Sequence, residues 1–519
     1  MNKLIFIGID GATWDLIKPW AEAGDLPAFK KILDEGTTGI CKSTNPPLTS
    51  PGWPAFFTGK NPGKHGVYDF VEPHGDRISN GRMVRTKTLW EILSDNGKKS
   101  IVINVPLTFP PRKIDGVIIT DMMAAPGEIF TYPDELTEKL NARDYKIDSL
   151  FEQPKEKPKA EAIEIINSIE QDHFDVFKGL MQEHDWDFAM LAITGTDRLQ
   201  HYFWDDKEVL RDHYKIIDSM LAELFELYGD QASFGLISDH GFCTKKLQLD
   251  LNFWLEQNGY LMWKKDDSNE AQQSWQEQKY SKQKKSGLKS QLKRLGLTHE
   301  TIQRSPLLKK LSKKVPRHLR KKLGAKLEQT TRVQDWEKTT AFIPTGIVRG
   351  INVNLAGRDK HGTVSQDDYE TVREDLIEKL SQLQTPAGTP VFKKVLKREE
   401  VYSGPYLEEA YDIMLEFADD SIIPIAKKNK ELFTKSDHLS YHHVDGIYAF
   451  FGPNFASQSD LTTKLEDITP TILHAFSLPI DKDMDGQVIE DALQEKKEIV
   501  YSEQSEKQSI SNALKSIKI

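Results

Sequence analysis

The sequence predicts an α/β fold: a largely parallel central sheet flanked by helices, with an inserted cap. Three observations carry this. Nearly continuous apolar runs recur at 3–9 (KLIFIGI), 100–106 (SIVINVP), 187–197 (DFAMLAITGTD), 233–241 (SFGLISDHG) and 446–453 (GIYAFFGP), as expected of strands covered on both faces. Between them, notably at 159–184 and 205–228, apolar residues fall at the three- and four-residue spacing of helices. Asp10, Asp197 and Asp239 each follow an apolar run, the place where functional groups gather in open α/β sheets.

Taken in order, the first run ends at Asp10-Gly11, and a helical pattern follows, broken near Gly24 and resumed from Leu26-Pro27 to Glu35-Gly36. The loop 44–59 (TNPPLTSPGWPAFFTG) is stiffened by prolines around Thr49 and Ser50, and WPAFFTG can form a helix whose N-terminal amides attract an anion. A hydroxyl there would lie close to bound phosphate, although capping the helix is the commoner role for such a residue. In TGTDRLQH, Asp197 and His201 stand four residues apart, so one helical turn would aim both at one metal ion. Asp239-His240 ends the fourth run at a glycine-assisted turn. Carboxylates, imidazoles and one hydroxyl are the ligand mix of a two-metal hydrolytic site, here Asp10, Thr49, Asp197, His201, Asp239, His240 and His442, with the ionic groups expected at strand ends.

Two segments break the rhythm. Residues 279–326 hold 17 Lys or Arg against Glu300 alone, a local net of +16 that leaves the rest of the chain at −26 given the total of −10. Within it Leu307, Leu311, Val315, Leu319 and Leu323 recur every four positions between cations, a pattern suited to a solvated lid or to an anionic membrane surface. Residues 346–416 read as an α+β cap, with strand GINVNL, a helix over about 366–383, and strands near 390–396 and 411–416. The expected organisation is therefore a core over 1–260, a basic helical insert over 261–335, the cap over 336–420 and the rest of the core over 421–519.

Composition excludes several classes. At 519 residues the chain exceeds the roughly 250–300 at which a single core stops growing. A net charge of −10 gives no argument for specific nucleic-acid binding. Only Cys41 and Cys243 occur, which argues against a disulfide framework and for two buried thiols in a reducing compartment. The N-terminal apolar run lacks a cleavage site, cleavage would remove Asp10, and no segment approaches the ~20 apolar residues of a membrane span. A cytoplasmic protein, peripheral at the membrane if the insert docks there, is expected.

The ordered set IGIDG, PPLTSPGW with FFTGKNPGKHG, TGTDRLQH, ISDHGF, YHHVDGIYAFFGP and EDITPTIL with DKDMDG resembles the alkaline phosphatase superfamily, in its type I phosphodiesterase/nucleotide pyrophosphatase branch. The resemblance spans nearly the whole chain apart from roughly 260–335. It implies an alkaline-phosphatase-like sandwich and two divalent ions, zinc or alternatively manganese. One ion would be surrounded by Asp10, Thr49, Asp239 and His240, the other by Asp197, His201 and His442. In that branch the nucleophilic threonine precedes the threonine of a Thr-Gly pair by nine residues, as Thr49 precedes Thr58-Gly59, which selects Thr49 over Ser50 and implies a phospho-threonine intermediate. The last ligand lies three residues before an Asp-Gly pair, which His442 satisfies with Asp445-Gly446, leaving His438 and His443 outside the set.

One departure bears on substrate. The branch carries an asparagine 21 residues after the nucleophile that helps bind phosphate, and Phe70 stands there instead. Lys60, Asn61 and Lys64 of TGKNPGKHG are candidates to replace that contact, while His65 reads as structural. The function implied is a metal-dependent phosphoester hydrolase acting on a phosphorylated small molecule or a lipid- or glycan-linked substrate. The alternatives are a phosphomonoesterase or phosphotransferase of the same superfamily, or a membrane-docking scaffold that retains the fold. A sulfatase is disfavoured because Ser50-Pro51 is not followed by the required arginine.

Overall fold

The computed structural model describes residues 3–125, 127–265, 332–344, 349–427, 431–436 and 439–502. The basic segment 279–326 and His438 lie outside the described residues. The strands that matter here are β1 (Leu4–Ile9), β2 (Thr37–Lys42), β3 (Ser100–Ile103), β4 (Gly116–Ile119), β5 (Thr131–Tyr132), β6 (Phe188–Ile193), β7 (Ser233–Ile237), β8 (Gly241–Thr244), β9 (Ser440–His443), β10 (Asp445–Phe451) and β11 (Gln458–Lys464). The helices are α1 (Trp14–Glu22), α2 (Pro27–Glu35), α3 (Thr49–Thr58), α4 (Lys159–Glu183), α5 (Gly195–Phe203), α6 (Lys207–Tyr228) and α7 (Ile468–Ala475).

Nine strands form the central sheet in the order β11-β2-β10-β7-β1-β6-β3-β4-β5. β7, β1, β6, β3 and β4 run parallel, as the alternation of apolar runs and helices predicts. β10 runs antiparallel to both its neighbours, and β5 antiparallel to β4. The direction of β10 was not legible because an apolar run buried on both faces reads the same either way. β2 and β11, paired in parallel at the far edge, carry too few apolar residues to stand out as runs.

The sheet is covered on both faces, and the strand period of two sorts its side chains between them. Ile5, Ile7 and Ile9 of β1 pack into a core shared with Ile17, Phe29, Ile32, Phe174, Phe177 and Leu224 of α1, α2, α4 and α6. Leu4 and Phe6 point the other way, against Trp53, Phe56 and Phe57 of α3 and Ile472 and Leu473 of α7. Each such side chain contributes about 1.5–3 kcal/mol on burial. All ten residues of α3 are buried, so the helix that starts at Thr49 is seated by its entire surface.

The chain divides into two compact units, one of residues 1–251, 343–353 and 367–519, the other of 252–342 and 354–366. The first contains the strands Gly350–Val353, Phe392–Lys397 and Ile413–Phe417, paired antiparallel, and the helix Tyr369–Ser381. In the second, Trp263–Lys265 pairs antiparallel with Arg332–Gln334, and Asn354 Nδ2 donates to the carbonyls of Thr339 and His361 at 2.8 and 2.9 Å. Among the described residues no helix is long and apolar enough to cross a membrane. Both cysteines are free, but only Cys41 is buried; Cys243 is partly exposed, with Lys245 Nζ 3.1 Å from its sulfur.

Candidate functional site

Asp10 follows the last residue of β1, and Gly11, at φ +72°, turns the chain away in a conformation that favours glycine. The Gly11 N–H donates to Asp239 Oδ1 at 3.3 Å, and Trp53 Nε1 of α3 donates to Asp10 Oδ2 at 3.3 Å. Ser238, Asp239 and His240 bridge β7 to β8. His240 Nδ1 donates to the Gly241 carbonyl at 3.1 Å, which leaves Nε2 as the free lone pair. That Nε2 lies 3.3 Å from Asp239 Oδ2, 3.6 Å from Asp10 Oδ1 and 3.3 Å from Thr49 Oγ1. The Thr49 hydroxyl is therefore within two hydrogen-bond lengths of the Asp239 carboxylate. It does not cap α3: the N-cap is Leu48, with no side-chain bond.

A second group adjoins the first. Asp197 and His201 stand one turn apart on α5, and His442 lies on β9, which pairs with β8 so that His442 faces Phe242. His442 Nδ1 donates to the Pro47 carbonyl at 3.0 Å, again presenting Nε2. Asp197 Oδ1 is 3.3 Å from both His201 Nε2 and His442 Nε2, and the two imidazole nitrogens are 3.1 Å apart. The His240 and His442 rings stack with centroids 3.6 Å apart, joining the two groups. Two placements differ from expectation. Asp197 sits in the first turn of α5 rather than at the end of β6, and His442 lies within a strand. In TGTD the helix starts at Gly195, two residues after the apolar run ends, and the imidazole is carried by a short antiparallel ladder, not by the main sheet.

Crowding three carboxylates in a buried space has an electrostatic consequence. Burial, then the charges of Asp239 and Asp197, push the Asp10 carboxyl well above its ordinary range. Burial followed by Asp197 pushes Asp239 up to about 8. Burial pushes Asp197 up as well, but His201 and His442 outweigh it and hold that carboxylate well below its usual value. Burial lowers His240, and burial with His240 brings His442 down to about 3, so both imidazoles are neutral.

These residues fit divalent cations. Asp10 Oδ1, Asp197 Oδ1 and Asp239 Oδ2 are buried and accept no hydrogen bond, an expensive arrangement unless positive charge lies between them. Ligand atoms of Asp197, His201 and His442 lie within 4.8 Å of one another, as do those of Asp10, Asp197 and His240. Asp197 thus stands between the two groups. Both backbone-anchored histidines present Nε2, the tautomer control typical of metal ligands.

The remaining candidates lie elsewhere. Lys60 Nζ pairs with Asp481 Oδ2 at 3.2 Å and Asp483 Oδ2 at 2.7 Å, and Lys64 Nζ with Asp485 Oδ1 at 2.8 Å. Asn61 gives its backbone N–H and Nδ2 to Asp485 Oδ2 at 2.8 and 2.7 Å. All three are engaged by the DKDMDG segment. His65 is fully buried, its Nδ1 accepting the Val67 N–H at 3.2 Å. His443 Nε2 lies 3.3 Å from Asp420, outside the cluster. Spacing missed Trp53, whose indole holds Asp10; its place one turn after Thr49 is the signal that could have found it.

Residues 4–445 match the family described as type I phosphodiesterase/nucleotide pyrophosphatase. The chain belongs to that family. A type I phosphodiesterase/nucleotide pyrophosphatase is a hydrolase of phosphoric esters, and the chain is one of this class. No curated protein matches it. Among solved structures, phosphonoacetate hydrolase from Sinorhizobium meliloti 1021 in complex with phosphonoacetate is similar at 16% identity and TM-score 0.55, over 92% of this chain and 95% of that one. The wild-type alkaline phosphatase PafA is similar at 13% identity and TM-score 0.54, over 95% and 99%. Murine ectonucleotide pyrophosphatase/phosphodiesterase 5 is similar at 12% identity and TM-score 0.50, over 95% and 100%. These three share the fold.

Proposed function

We propose that this chain is a two-metal phosphodiesterase that works through a phospho-threonine at Thr49. The reading rests on one observation above all: a buried hydroxyl 3.3 Å from His240 Nε2, beside three carboxylate oxygens that accept no hydrogen bond. Asp10, Asp239 and His240 would hold one ion, and Asp197, His201 and His442 the other; the mixed carboxylate and imidazole shell suits zinc, with manganese as the alternative. When bound, the pair supplies Lewis acidity that neutralises phosphoryl charge and favours the ionised threonine oxygen. Trp53 and the Gly11 amide hold the Asp10 and Asp239 carboxylates. The backbone of α3, fixed by burial, holds Thr49.

In the first step the Thr49 hydroxyl releases its proton to solvent and Oγ bonds to phosphorus as the bond to the leaving oxygen breaks, and that oxygen departs with the electron pair and takes up a proton from solvent. In the second, water attacks phosphorus opposite Thr49 Oγ, releasing phosphate or a phosphomonoester and restoring the hydroxyl. Relatives of this fold bind AMP and phosphonoacetate. For this chain we assign a small phosphorylated molecule as substrate, and we give Lys60, Asn61 and Lys64 a structural role. The deciding experiment compares bis-p-nitrophenyl phosphate with p-nitrophenyl phosphate and maps phosphoryl transfer by rapid quench. Faster diester cleavage with label on the Thr49 peptide supports the proposal. A monoester preference would make it a phosphatase, and turnover in Thr49→Ala at the wild-type rate would remove the threonine mechanism.

A further inference from the structure

Helix α5 carries Asp197 and His201, and its first turn is gripped from behind by groups that touch neither. Glu170 of α4, 3% exposed, accepts at Oε1 the backbone N–H of Gly195 at 2.6 Å, the N–H of Thr194 at 3.1 Å and the Thr194 hydroxyl at 3.4 Å. A carboxylate on two orphan amides of a helix start makes charge-assisted bonds and is favoured by the helix dipole. Two further ties flank it. Arg198 donates Nη1 to the Thr194 carbonyl and Nη2 to Asp148 Oδ2, both at 2.6 Å, and Thr196 Oγ1 meets His213 Nε2 at 3.1 Å. The glycine of TGTD belongs to the same device: a Cβ at Gly195 would lie 3.0 Å from Glu170 Oε1 and 2.7 Å from Ile166 Cγ2.

We propose that Glu170 is a positioning residue for the metal centre: by fixing the first turn of α5 it sets where the Asp197 carboxylate and His201 imidazole stand, and so the affinity for the ion they would hold. This rests on the two-metal reading. Asp197 Oδ1 faces His201 and His442 at 3.3 Å each, and metal and catalytic constellations tolerate only about 0.5 Å of displacement. Asp10 follows β1, and Asp239 and His240 bridge β7 to β8, so the other ion's ligands stand on elements other than α5 and meet it through Asp197 and the bond from Gln200 Nε2 to the Gly11 carbonyl at 2.8 Å. Loss of Glu170 should therefore weaken the ion of Asp197, His201 and His442 more than the other, which general destabilisation would not do.

The test is a chelator-buffered zinc titration of the full chain, read by elemental analysis, with unfolding midpoints of the zinc-saturated proteins alongside. Wild type should bind two ions. Glu170→Ala should bind one about 10- to 100-fold more weakly and the other with a clearly smaller loss. Glu170→Gln, whose amide oxygen can still accept both N–H groups, should recover most of the loss, and Gly195→Ala, pressing on the carboxylate from the other side, should reproduce it. If Glu170→Ala does not fold, the Gln and Gly195→Ala variants carry the comparison. Unchanged affinities, equal weakening of both ions, or a Gln variant as poor as Ala would overturn the proposal. A wild-type chain that binds no zinc would overturn the two-metal reading as well, whereas two ions held at wild-type affinity in every variant would sink this inference alone.

Discussion

Stripping metal from this chain should give its stability a pH dependence that the loaded protein lacks. Asp239 has its folded pKa raised to about 8 from an ordinary 3.8, so between those values the native state keeps a proton that the unfolded chain has released. Stability then falls as pH rises. His240 and His442, lowered from 6.5, work in the opposite sense, because the unfolded chain takes up their protons first; that effect ends above about 6.5. Asp197, held low, is ionised in both states in this range. Between pH 6.5 and 8 the raised carboxyls act alone, and one retained proton costs about 1.4 kcal/mol per pH unit, about 2 kcal/mol over the interval. Asp10, also raised, adds to the same sign. Urea midpoints of chelator-treated and zinc-saturated protein across this interval measure the effect, and the comparison cancels groups common to both. The slope should appear only without metal and should diminish in Asp239→Asn. Equal pH dependence of the two forms would refute the reasoning.

Other substitutions probe the supports of the site. A Cβ at Gly8 would lie 2.4 Å from Trp53 Cη2, so Gly8→Ala should cost about 1–3 kcal/mol by overpacking and also weaken metal binding at Asp10, seen as a lower urea midpoint and lower zinc affinity. Lys60→Met would leave the buried Asp481 carboxylate without its partner and should cost about 3 kcal/mol in stability, while kcat/KM of the folded enzyme stays unchanged, which separates a structural role from a substrate contact. Trp53→Phe removes the indole bond to Asp10 and should cost about 1 kcal/mol with a measurable loss of zinc affinity.

Much of this site was legible because its chemistry sits at the seams of local patterns. Asp10 and Asp239 stand just beyond apolar runs, and Asp197 with His201 shows the spacing of one helical turn. His442 was legible only through family resemblance, since a histidine inside a short strand carries no local signal. From its loop alone Thr49 read more readily as a cap, and the structure gives that place to Leu48. The partners of Lys60 could not be read from sequence, because the residues that engage it lie 421 and 423 positions away. Trp53 and Glu170 escaped for a related reason: only tertiary packing brings the Trp53 indole to Asp10 and the Glu170 carboxylate to the start of α5.

On the proposed mechanism, the aspartates and histidines gathered beside Thr49 hold two divalent cations needed for phosphoester cleavage. Elemental analysis of the purified chain, with activity followed through chelation and zinc readdition, tests it most directly. Two ions per chain, falling to one or none in Asp239→Asn, together with activity that is lost and regained with them, is the result predicted. Full activity in a chain holding less than one ion would contradict it.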